Sequence, residues 1–139
     1  PGAAGWQLST PNILTMVPHR VSLQLFAEAG FHRLREKSIY LTSYLEFLIG
    51  QLPHAADRFQ IITPRQSNRR GCQLSILTSH EGKDLFDHLI QNGIILDWRE
   101  HNLPDSNGQS AGVIRVAPTP LYCSYQDVYR FVELVEEWM

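Results

Sequence analysis

The chain has 139 residues, 43% of them hydrophobic and 19% charged, with 12 basic side chains against 14 acidic ones. Those values describe one globular domain able to bury a core and exclude a disordered tail. The net charge of −2 and a pI near 6.3 leave no basic surface to select nucleic acid or an anionic membrane. No apolar run approaches the roughly 20 residues needed to span a bilayer. Pro1-Gly2-Ala3-Ala4-Gly5 lacks the basic and apolar regions of a secretory signal, and no initiator Met precedes it. The expectation is an internal or processed segment of a cytoplasmic protein.

In chain order, residues 1–11 are rich in Gly, Pro and Ala and read as a loop. Asn12 or Thr15 is placed to cap a first helix running to about Ala29. Leu14, Val17, Val21, Leu25 and Ala29 give it an apolar stripe at spacings of three and four. Pro18 suits this helix only in its first turn. Gly30 interrupts the pattern, and a longer helix follows from about Phe31 to Gln51. Leu34, Ile39, Leu41, Leu45, Leu48 and Ile49 supply its buried side; Arg33, Arg35, Glu36, Lys37 and Glu46 fall mostly toward water.

After a connector at Pro53 to Arg58, Phe59–Thr63 reads as a short strand stopped by Pro64. The polar stretch from Pro64 to Arg70 is a loop whose Arg65, Arg69 and Arg70 are either solvated or a binding cluster. Cys72–Thr78 alternates with period two, the mark of a strand with one face in a core. Glu81–Asn92 is helical, with Leu85, Phe86, Leu89 and Ile90 inward and Gly93 where a capping glycine belongs. Ile94–Trp98 is a third strand, Glu100–Ala111 a polar loop, and Val113–Ala117 a fourth strand. Ser124 caps the last helix and Asp127, three residues on, completes a capping box. Val128, Phe131, Val132, Val135 and Trp138 form the inner face of that helix. The order α, α, β, β, α, β, β, α predicts an α+β fold, helices covering one face of a small, mainly antiparallel four-stranded sheet. The unit through residues 81–92 crosses right-handedly if its strands are parallel.

Chemistry is sparse. Cys72 and Cys123 have no Cys-x-x-Cys companion, so free thiols are expected. Histidines at 19, 32, 54, 80, 88 and 101 form no pair at helical ligand spacing, so no metal site is expected. No Gly-rich phosphate loop or nucleophile elbow occurs. One feature stands out: Gly112-Val113-Ile114-Arg115-Val116-Ala117-Pro118-Thr119-Pro120-Leu121-Tyr122. A guanidinium sits in a β-branched strand that Pro118 and Pro120 terminate. A charge there needs a partner. A carboxylate answers its planar fork at two points. That carboxylate belongs either to the protein, with Asp97 and Asp127 as candidates, or to a ligand.

The same run resembles the C-terminal signature of kynureninases, pyridoxal-phosphate enzymes of the fold-type-I superfamily. Gly5-Trp6-Gln7-Leu8-Ser9-Thr10-Pro11-Asn12-Ile13-Leu14, Arg70-Gly71-Cys72-Gln73-Leu74-Ser75, and the helical Leu34–Ser38 and Leu41–Glu46 resemble family segments in the same order. The resemblance spans nearly the whole chain but only the last third of such an enzyme. It implies a small domain at residues 31–139, with residues 1–30 belonging to a large domain upstream and the boundary near Gly30. It also implies a homodimer and pyridoxal 5'-phosphate as cofactor. The implied reaction is hydrolysis of kynurenine or 3-hydroxykynurenine to an anthranilate and alanine, within tryptophan catabolism and NAD biosynthesis.

By the same resemblance, Arg115 aligns with the arginine that binds the substrate α-carboxylate. Thr10 aligns with a position near the cofactor phosphate, contributed across the dimer interface. The lysine that holds the cofactor falls upstream of Pro1: Lys37 lies within a helix and Lys83 at the start of one, and neither follows an apolar strand. No catalytic residue is therefore expected in this segment, which alone should be inactive. Asn12 stands where many relatives have a second proline, and the loop after Asp97-Trp98-Arg99 is longer than in the family. Two other readings remain open: an aminotransferase or desulfurase of related fold, and a non-catalytic α+β binding module.

Overall fold

A computed structural model describes the chain except residues 1, 11, 79–80 and 105–109; at residues 4, 101–104, 110 and 111 it describes the backbone alone. The described elements are α1 (Ile13–Ala29), α2 (Phe31–Gln51), the single turn α3 (Ala55–Arg58), β1 (Phe59–Ile61), β2 (Leu74–Thr78), α4 (Gly82–Gln91), β3 (Asp97–Pro104), β4 (Ser110–Val116) and α5 (Tyr125–Trp138). The strands form one sheet in the order β1-β2-β4-β3, every pair antiparallel. This is the expected α+β architecture. β2 and β3 flank α4 in sequence and run the same way, because each is antiparallel to β4, which lies between them.

Side-chain alternation decides what each face of the sheet does. Leu74 and Ile76 of β2 and Ile114 and Val116 of β4 point to one face and are buried. They meet Leu41, Leu45 and Ile49 of α2, Leu85 and Leu89 of α4, and Val128, Phe131, Val132 and Val135 of α5 in a single cluster. Burying side chains of this size contributes roughly 1.5–3 kcal/mol each, an upper figure given a compact unfolded chain. The alternate positions lie on the opposite face: Ser75 and Leu77 of β2, Val113 and Arg115 of β4, Asp97 and Arg99 of β3. That face carries the charged side chains Arg115, Asp97 and Arg99.

The first helix begins as its sequence indicates. Asn12 caps it, its side chain accepting from the Leu14 N–H at 3.1 Å. Pro18, however, is its sixth residue, beyond the first turn. The bond lost at Pro18 belongs to the carbonyl of Leu14, a residue 83% exposed, so the loss falls on the solvent side of the helix. No residue of α1 is buried, and Leu14, Val17, Val21 and Leu25 are all more than half exposed. Gly30, at φ +83°, ends α1 and lets the chain restart as α2.

Elsewhere the structure corrects the sequence reading. The third strand starts at Asp97, not Ile94. The Ile94 N–H reaches back to the Leu89 carbonyl at 3.0 Å and the Gly93 N–H to the Ile90 carbonyl at 3.1 Å. That double bond pattern closes α4 and takes Ile94 out of the sheet. The expected polar loop 100–111 is instead part of a β3–β4 hairpin, with Glu100 opposite Gly112 and Pro104 opposite Ser110; its centre lies outside the described residues. β3 is polar along its length, so its strand character comes from pairing with β4 rather than from local preference. Ile90, expected inward, is 42% exposed.

Two of the three arginines of the 64–70 stretch are engaged by α2, while Arg69 is exposed. Arg70 is sunk to 3% side-chain exposure and donates to Glu46 of α2 at 2.8 Å, while Arg65 reaches the same carboxylate at 3.3 Å from an exposed position. Glu46 thus faces this loop rather than water. Arg35 donates to the Ser67 carbonyl and ties the same loop to α2. Ser124 and Asp127 form the expected capping box at α5.

Candidate carboxylate-binding site on the open sheet face

Arg115 sits next to the last residue of β4, opposite Ser75 of β2 and Asp97 of β3. Its two terminal nitrogens have different partners. Nη1 donates to Asp97 Oδ2 at 2.6 Å, and Nη2 donates to the Gln73 side-chain oxygen at 2.9 Å. Gln73 is fixed in turn, its amide nitrogen donating to Ser75 Oγ at 3.2 Å. Asp97 Oδ2 also accepts from Arg99 Nε at 3.1 Å. Side-chain exposures are 37% for Arg115 and 43% for Asp97, so the pair stands at the surface.

Of the two protein acids proposed for Arg115, the structure selects Asp97. Asp127 is committed elsewhere: its carboxylate accepts from the Ser124 N–H at 2.7 Å and from Ser124 Oγ at 2.8 Å. Those bonds hold it below the usual carboxylate range. Gln73 was not singled out from the sequence. The signal was present, because a polar residue two positions before Ser75 shares its face of β2, and that face meets Arg115.

Each terminal guanidinium nitrogen carries two N–H groups. Asp97 and Gln73 use one from each, so the fork keeps donors for a further acceptor. An exposed ion pair is worth about 0–1 kcal/mol, so exchanging Asp97 for a ligand carboxylate is energetically cheap. A cavity of about 450 Å³ lies on the other, helix-covered face, lined by Leu45, Leu96, Val116, Tyr122, Val128 and Phe131 among others. Arg115 does not line it.

The residues present do not build a covalent pyridoxal-phosphate site. Lys37 donates to the Pro120 carbonyl at 2.9 Å from the middle of α2. Lys83 pairs with Asp87 on the half-exposed side of α4 and lies over the Phe86 ring. Both amines are thus engaged by protein acceptors. Thr10 is exposed in the segment before α1. Cys72 and Cys123 are free thiols. Among the described residues no group of three or more His, Cys, Asp or Glu side chains could hold a metal ion, and no helix is long and apolar enough to cross a membrane.

Comparison with known proteins bears on the same segments. Residues 34–135 match the kynureninase C-terminal domain family. The chain is 52% identical over 132 residues to the kynureninase of Koribacter versatilis, covering 95% of this chain and 28% of that protein. It is 49% identical to the kynureninase of Stenotrophomonas maltophilia and 41% identical to that of Flavobacterium psychrophilum, in each case over 98% or more of this chain and 30% of the relative. The chain thus spans under a third of the length of the curated relatives it matches. With the family match extending from α2 into α5, and through both Gln73 and Arg115, the chain belongs to the kynureninase C-terminal domain family.

Proposed function

We propose that this chain recognises the substrate α-carboxylate within a longer pyridoxal-phosphate-dependent kynureninase, which hydrolyses L-kynurenine or 3-hydroxykynurenine to the corresponding anthranilate and L-alanine. One observation carries the reading: Arg115 stands on the open face of the sheet, more than a third exposed, with its fork held from two sides. An arginine needed only for stability gains little from such a position. An arginine meant to meet a ligand needs this combination of fixed orientation and free donors.

In this reading residues 31–139 are the small domain, and residues 1–30 pack with a large domain elsewhere in the longer protein. The uncovered apolar stripe of α1 supports that division. The cofactor and its lysine belong to the large domain, Thr10 approaches the cofactor phosphate across a homodimer interface, and no chemical step falls to a residue of this chain. The competing reading, Arg115 as a structural ion pair, draws on its 2.6 Å contact with Asp97.

The test is product formation by the full-length protein. With L-kynurenine as substrate, anthranilate should accumulate, followed by its fluorescence. Transamination of an amino acid or release of sulfur from cysteine, without anthranilate, would move the chain to a related enzyme of the superfamily. No turnover of any of these would favour a binding module.

A further inference from the structure

The clamp shares its surface with an anion of the same kind as the ligand proposed for it. Asp97 accepts from Arg115 Nη1 and from Arg99 Nε on one oxygen, Oδ2. The two bonds come from different strands: Arg115 lies across the β3–β4 pair, and Arg99 is two residues along β3, on the same face as Asp97. Arg99 is 64% exposed and buries nothing of consequence, so packing does not explain its place.

A fixed carboxylate touching Arg115 acts in two opposing ways. It holds the fork in orientation, and it cancels positive charge that an incoming carboxylate would otherwise meet. Gln73 holds the other terminal nitrogen without charge, so that side carries no such conflict. Arg99 relieves the conflict on the Asp97 side. With it, the cluster is two guanidiniums and one carboxylate, net +1. Without it, Arg115 and Asp97 form a neutral pair that a second anion has little reason to enter.

We propose that Asp97 is a built-in competitor for the Arg115 clamp, and that Arg99 is a positioning residue that shares the Asp97 carboxylate with Arg115 and sets the affinity for a substrate carboxylate. This rests on the reading of Arg115 as a carboxylate ligand. When the ligand arrives, Asp97 keeps Arg99 as its partner and is not left as an unpaired anion beside the new one.

The experiment is steady-state kinetics of the full-length protein with L-kynurenine. Arg99→Gln should raise KM about 3- to 10-fold, with kcat changed by less than about twofold, as expected for a charge acting on binding from a partly exposed site. The rise should shrink at high ionic strength. Asp97→Asn keeps an acceptor for Arg115 but removes the competing charge, so the Asp97→Asn/Arg99→Gln double variant should recover KM to within about twofold of wild type. A raised KM that Asp97→Asn does not recover would mean that Arg99 touches the substrate itself, and would overturn the proposal. An unchanged KM in Arg99→Gln would overturn it too. Arg115→Lys is the control arm. If it raises KM while Arg99→Gln does not, only this inference fails; if it leaves KM unchanged, the reading of Arg115 fails as well.

Discussion

Gly112 is the position where a single methyl should disturb both the fold and the site. It lies on β4 opposite Glu100, and the indole of Trp98, between Asp97 and Arg99, is laid over it. A Cβ added there would sit 1.9 Å from Trp98 Cη2 and 2.0 Å from Cζ2, where real Cβ atoms keep 3.0 Å or more. The ring must therefore retreat by about 1 Å. Phe86 packs against the same indole, with 5.9 Å between ring centroids. Overpacking of this kind costs about 1–3 kcal/mol, which for a domain near this size lowers Tm by roughly 3–12 °C. The assay is thermal melting of Gly112→Ala beside Trp98→Leu and the double variant. The smaller side chain should absorb the methyl, so the double variant should melt well above the sum of the two losses. Because Trp98 connects Asp97 to Arg99, Gly112→Ala should also raise KM for a carboxylate substrate. A Gly112→Ala protein with wild-type Tm, or strictly additive losses, would refute the contact.

The strut between α2 and the 64–70 loop gives a contrast. Arg70→Ala leaves Glu46 with only its exposed partner and opens a void, costing on the order of 2–4 kcal/mol, while Arg65→Ala stays within about 0.5 kcal/mol; urea denaturation separates them. Ser124→Ala removes the α5 cap and should cost about 1 kcal/mol. The bonds from Ser124 lower the Asp127 pKa in the folded chain from its ordinary 3.8. That contribution is therefore complete above pH 3.8 and disappears as pH falls through the lower folded value. In acid titrations Asp127→Asn should lack this part of the loss, and matching curves would contradict it. Residues 31–139 expressed alone should melt cooperatively, whereas the chain with α1 attached should self-associate in sedimentation; a monomer with a rigid α1 would count against the division at Gly30.

Local chemistry made much of the fold legible. The capping box at Ser124, the glycine after α4 and the period-two run of β2 each appear in sequence because each is specified by residues a few positions apart. β3 was misplaced because its polar residues become a strand only when Trp98, Arg99 and Glu100 find Ile114, Val113 and Gly112. The same limit hid Gln73 and the Glu46 strut, whose partners lie 42 and 24 residues away. Arg115 was visible because an arginine between Ile114 and Val116 contradicts its own surroundings. Which acid it meets depended on the strand register that sets Asp97 opposite Arg115, while the capping box claims Asp127.

The central claim is that Arg115 serves a ligand rather than the core, and the most direct measurement is kcat/KM of full-length Arg115→Lys on L-kynurenine, taken with its Tm. Lysine keeps the charge and loses the planar fork. Losing a two-point contact with a desolvated carboxylate costs on the order of 2–4 kcal/mol, or roughly 30- to 1,000-fold in kcat/KM. Tm should stay within about 2 °C of wild type, because the pair with Asp97 is exposed. Unchanged kcat/KM, or a Tm lowered by about 10 °C or more, would contradict the claim and make Arg115 a structural ion pair.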